Sequence, residues 1–217
     1  MNFEISIILI SSIFIAGIIA ILRYKKIHKS YYPFIYFIWI GCLNELVSFV
    51  IIYKGFPNAI NNNIYVLFEA LLIIYFFKKL KAFKKFNSLL SYITSGLILL
   101  WVFENVVQNK IHTVSLFFRI SYSFIIVLLS ISYINNLITS VRKNIFSNAD
   151  FLICVGFILY FTYKILVEAF WLYGLNSSTR FQSLVYNIMV YLNLICNLIY
   201  ILAIIWMPRR QIFTMPS

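Results

Sequence analysis

Residues 151–173 read FLICVGFILYFTYKILVEAFWLY, an apolar run that carries Lys164 and Glu168 near its middle. A helix of about 20 apolar residues crosses the hydrocarbon core of a bilayer. An ionisable side chain at its centre costs about 2.5–3.5 kcal/mol on insertion scales, so such groups face a partner or a wet cavity rather than lipid. Lys164 and Glu168 are four residues apart, which stacks them with Tyr160 and Trp171 on one helical face and lets the two charges neutralise each other along the helix. The stretch predicts a spanning helix with an inward polar stripe.

Outward from this run the chain repeats the pattern. Of its 217 residues 63% are hydrophobic and 11% charged, with a mean hydropathy of +0.92; that leaves too little polar surface for a water-soluble globule. Apolar runs predict spans near 5–22, 33–53, 62–77, 88–106, 113–136, 151–173 and 184–207. The fold class expected is all-α: a polytopic membrane protein forming a seven-transmembrane-helix bundle. The joints and the tail are too short to hold a further folded unit, so residues 1–217 read as one membrane domain. Glu4 precedes the first run without any basic residue, and no small-residue cleavage site follows it, so a retained helix is expected rather than a signal peptide.

Lys and Arg set the expected orientation, because positive joints stay in the cytoplasm. Thirteen fall in the first, third and fifth joints and the tail (Arg23 to Lys29, Lys78 to Lys85, Arg142, Lys143, Arg209, Arg210), against three (Lys54, Lys110, Arg180) in the joints between. The N-terminus is expected outside and the C-terminus in the cytoplasm. Tyr31, Tyr32, Trp171, Tyr173 and Trp206 fall at expected helix ends, where amphipathic rings prefer the headgroup level. The Ile-, Asn- and Lys-rich composition suggests a bacterial-type cell inner membrane.

A net charge of +12 raises nucleic acid as a partner, but the basic residues are interrupted by long apolar runs and no binding motif accompanies them. They read as joints resting near anionic headgroups of the lipid bilayer. Lys78 to Lys85 is the joint best suited to dock a cytoplasmic partner. Enzyme motifs are missing too. Asp150 is the sole aspartate, His28 and His112 are far apart, and neither Gly-x-Ser-x-Gly nor His-Glu-x-x-His occurs. No catalytic residue, metal site or cofactor is indicated, and Cys42, Cys154 and Cys196 lie inside spans as small apolar residues.

Three further ionisable residues are read as embedded: Glu45, Glu69 and Arg119. Glu45, Glu69 and Lys164 are expected near the midplane, with Arg119 and Glu168 towards the outer face. Polar neighbours three and four residues away mark inward faces, among them Asn62 and Tyr65 before Glu69, and Asn193, Asn197 and Tyr200 on the last span. Asn and Ser at such positions serve as hydrogen-bonding glue between helices, at about 0.6 kcal/mol each. Glue has no need of three carboxylates and two cations, so Glu45, Glu69, Arg119, Lys164 and Glu168, with Asn193, are the candidate substrate-binding residues of an outward-facing pocket. Their formal sum of −1 suits a cation, an amine or a proton. The leading expectation is transport of a small cationic or amine-bearing solute or protons; the alternatives are a ligand-sensing or accessory subunit acting through a separate partner, and a lipid-modifying enzyme. All four prolines lie at or beyond expected span ends, so no broken helix is expected.

Overall fold

The computed structural model describes residues 11–80, 87–140, 145–172 and 179–209. Among them the chain forms seven helices and no sheet: α1 Ser12–Arg23, α2 Tyr32–Tyr53, α3 Ala59–Lys79, α4 Asn87–Val102, α5 Leu116–Ser140, α6 Ala149–Leu172 and α7 Thr179–Trp206. Six of these stretches are long and apolar enough to cross a membrane, and the molecule is an all-α, multi-pass membrane-type bundle. The exception is α1, whose 12 residues rise about 18 Å at 1.5 Å per residue. Positions 5–10 of the expected first span, Tyr173 and Arg210, and most of the Lys78–Lys85 and Arg142–Lys143 joints lie outside the described residues. The helices match the expected spans with shifted ends. α3 starts at Ala59, α5 runs on to Ser140 and α7 begins at Thr179, so three polar joints are shorter than their composition suggested.

Helices α1, α2, α3, α5, α6 and α7 each pack on two neighbours in a closed ring, and α4 lies outside it against α3 and α5. Consecutive helices reverse direction, so one end of the ring collects the lysine-rich joints and the other the lysine-poor ones. Isoleucine, leucine, valine and phenylalanine cover the outside; Leu43, Phe49, Leu99, Val106 and Phe124 are among the many exposed apolar side chains. On a soluble surface this would be a patch problem; on a membrane-type bundle it is the lipid-facing face.

The lysine-rich half is filled with rings. Phe157, fully buried, has Phe34, Phe37, Phe76, Phe77, Phe161 and Tyr200 around it with centroids 5.7–6.3 Å away. These offset and edge-on contacts are the geometry aromatic quadrupoles favour. Gly156 makes room for them: a Cβ there would collide with the Tyr200 ring, so the missing side chain lets α6 and α7 approach closely. Nearer that end Tyr133 stacks edge-on against Phe77 and donates to Asp150 at 2.8 Å. A last closure comes from the chain itself, as Ile27 pairs with Arg209 in an isolated bridge and the His28 amide donates to the Pro208 carbonyl at 3.1 Å.

Tyr31 is not a headgroup-level belt residue: it is buried beside Asp150 and Phe76. Trp171 and Trp206 are close to half exposed, as belt residues should be. Helix α4 runs on without a break into a π-helical turn at Phe103–Val107. Such turns insert one extra residue per repeat and re-aim side chains, and this one buries Glu104 and Asn105.

Candidate functional site

Glu69 on α3 is buried, 1% exposed. Lys164 comes to it across the ring from α6, donating from Nζ to Oε2 at 3.1 Å. Two tyrosines complete its shell: Tyr122 on α5 donates to Oε2 at 2.5 Å and Tyr65, one turn earlier on α3, to Oε1 at 3.0 Å. Lys164 also hydrogen-bonds the Tyr122 hydroxyl and lies 5.0, 5.5 and 5.6 Å from the ring centroids of Tyr122, Tyr160 and Phe161. A desolvated ammonium among π faces gains about 2 kcal/mol or more. With a charged partner as well, the lysine's 5% exposure is accounted for.

One turn nearer the lysine-poor end, Arg119 of α5 donates from Nη1 to Glu168 Oε1 of α6 at 3.3 Å. Its Nη2 reaches Asn63 Oδ1 on α3 at 3.3 Å. Lys164 and Glu168 therefore do not neutralise each other along α6, as their spacing suggested. Each has taken a partner from a different helix, and the two pairs stitch α3, α5 and α6 together. Both pairs are ion pairs held out of water, where removing one partner costs more than the pair itself contributes.

Glu45 is different. Half-buried on α2, it has no hydrogen bond and no ion pair among the described residues. It faces a cavity of about 340 Å³ whose walls come from α1, α2, α3, α5, α6 and α7. All six residues singled out from the sequence line this one space: Glu45, Glu69, Arg119, Lys164, Glu168 and Asn193. The rest of the lining divides by depth. Phe37 and Tyr200 belong to the aromatic packing around Phe157 and Tyr160 packs against Phe161, whereas Phe170, Trp171, Phe181 and Tyr186 belong to the lysine-poor ends of α6 and α7. The cavity thus occupies the half of the ring next to the lysine-poor joints, and rings close it on the other side.

No family model, curated protein or solved structure matches the chain. The site is read from its own geometry.

Two residues that matter here escaped the sequence reading. Asn63, fully buried, holds the α4–α5 joint to α3 by donating Nδ2 towards the carbonyls of Lys110, Ile111 and Thr113 at 3.4, 3.1 and 2.6 Å. Its Oδ1 meets the Ser115 amide as well as Arg119, so the joint and the site share one side chain. Glu104 is a fourth embedded carboxylate, 1% exposed. It accepts the Phe117 and Phe118 amides at 3.2 and 2.7 Å. Those are orphan donors of the first turn of α5, and a carboxylate there also meets the positive end of the helix dipole. Glu104 is structural and does not line the cavity. An ionisable residue inside an apolar run was the signal available for it, the same one that drew attention to Glu69. Asn197, by contrast, is the interhelical glue expected of it, donating to Ser12 Oγ at 2.8 Å. The three cysteines are free thiols.

Proposed function

We propose that this protein is a membrane-embedded receptor or accessory subunit that holds a small cationic or amine-bearing solute in the charged cavity and acts through a separate partner. The observation that carries this reading is the charge balance of the lining. Lys164 is matched by Glu69 and Arg119 by Glu168, which leaves the Glu45 carboxylate facing the cavity unmatched. A half-buried carboxylate without a partner has lost part of its hydration uncompensated, and an incoming cation offsets that loss. The layers of Phe and Tyr around Phe157 favour sensing over passage, since a solute path to the lysine-rich end would have to part six packed rings. The bias of Lys and Arg supports placing that end in the cytoplasm, with the N-terminus outside, and the Ile-, Asn- and Lys-rich composition supports a bacterial-type inner membrane.

Helix α3 offers a route for the signal. It carries Glu69 in the site and Lys78 and Lys79 at its end, about 15 Å apart at 1.5 Å per residue. A cytoplasmic partner docked on the Lys78 to Lys85 joint would sense a shift of that one rigid element. Transport is the second reading, favoured by charges of both signs held at mid-span, where alternating access puts solute sites. Purified protein in nanodiscs and in proteoliposomes separates the two. Binding of alkylammonium ions, reported by Trp171 fluorescence, with no uptake above that of empty vesicles is the expected result. Ammonium or proton uptake that disappears in Glu45→Gln would replace the receptor with a transporter.

A further inference from the structure

The lining specifies the occupant more narrowly than its charge alone. At about 340 Å³ the cavity falls within the range of small-molecule sites, about 300–1,000 Å³. That is more than ten times a water molecule's share of liquid volume, about 30 Å³. A proton or a bare alkali ion has no use for such a space. Multivalent metal ions fare no better, because no three His, Cys, Asp or Glu side chains are grouped for coordination among the described residues. One unmatched carboxylate sets the valence at one: a dication would bring a charge with no counterpart, and an anion would meet Glu45 directly. Opposite the α2 carboxylate, the ends of α6 and α7 supply Phe170, Trp171, Phe181, Val185 and Tyr186. These offer aromatic faces to a cation and apolar area to a hydrocarbon body.

We propose that the cavity takes a monovalent organic ammonium with an apolar or aromatic body, its nitrogen on the Glu45 carboxylate and its body between the ends of α6 and α7. This rests on the reading of the cavity as a cation-binding site. Phe170 and Phe181 already pack edge-on at 5.5 Å, so a ring inserted beside them extends an aromatic cluster the protein has begun.

The test compares probes of one shape and different charge on the purified, nanodisc-embedded chain. Phenethylamine, its neutral isostere phenethyl alcohol, phenylacetate, putrescine and sodium ion are titrated against wild type, Glu45→Gln and Phe181→Ala. Phenethylamine is expected to bind about 10- to 100-fold more tightly than the alcohol, the worth of a hydrogen bond to a charged group. Glu45→Gln should erase that ratio, and Phe181→Ala should weaken phenethylamine while leaving the ratio in place. The amine-to-alcohol comparison needs no variant, so it stands even where Glu45→Gln fails to fold. If sodium or putrescine binds more tightly than phenethylamine and depends on Glu45, the organic-ammonium assignment falls while cation binding survives. If no cation binds, or amine and alcohol bind wild type alike, both readings fall.

Discussion

Removing either partner of the Lys164–Glu69 pair should destabilise the protein strongly, while removing both should cost far less than the two single costs combined. In Lys164→Met the Glu69 carboxylate, 1% exposed, loses its cation but keeps the hydroxyls of Tyr65 and Tyr122. In Glu69→Gln the ammonium keeps the Tyr122 hydroxyl and three ring faces. Breaking a buried pair costs about 3–5 kcal/mol, and these remaining contacts place both variants at the low end, near 3 kcal/mol. At about 2–4 °C per kcal/mol for a chain of this size, each single variant should lower Tm by roughly 6–12 °C. The double variant leaves no unpaired charge, so its cost should fall to about 0–2 kcal/mol, a coupling of roughly 4 kcal/mol or more where independent sites would simply add. Thermal unfolding in one detergent, followed by circular dichroism and by tryptophan fluorescence, reads the four corners of the cycle. Additive losses would refute the reasoning, because they would mean that the two charges do not interact across the α3–α6 interface.

Asn63→Leu should lower Tm and weaken amine binding together, since it frees three carbonyls of the α4–α5 joint and leaves Arg119 with Glu168 alone; a scan and a titration on the same sample check both. Glu104→Gln should cost about 1–2 kcal/mol, the worth of a helix cap, and leave amine affinity unchanged, because the carboxylate serves the first turn of α5 and not the cavity. Gly156→Ala should cost about 1–3 kcal/mol by overpacking, seen as a lower Tm, because its methyl group meets the Tyr200 ring.

Seven helices were legible because apolar length is written along one dimension, and lipid demands it of each helix separately. Convergence of the charged residues was legible for the same kind of reason, since few places in such a bundle other than its interior accept a carboxylate. Pairing was not. Lys164 and Glu168 share a face of α6, but long side chains on one face reach outward, and which helix stands opposite is a property of the ring rather than of the spacing. Nor could the sequence distinguish Glu45 from Glu69, because only the packing shows that Lys164 and Arg119 reach Glu69 and Glu168 and leave the α2 carboxylate without a cation. Glu104 was overlooked for its place near a span end, where water is close at hand; the π-helical turn instead folds it against α5. Tyr31 misled in the same way: its position near a helix end suits a belt, yet the short helix at Lys29–Tyr31 turns its ring inward onto Phe76.

The proposed function requires that the charged interior space be reached from the lysine-poor end and shut by packed rings at the other. Glu45→Cys, in a chain whose Cys42, Cys154 and Cys196 are replaced by alanine, places one thiol in that space. A membrane-impermeant trimethylammonium methanethiosulfonate is then applied to either face of sealed vesicles of known orientation. Modification from the face bearing the lysine-poor joints is the predicted result. Modification from the lysine-rich face, from both faces at equal rates, or from neither would contradict it.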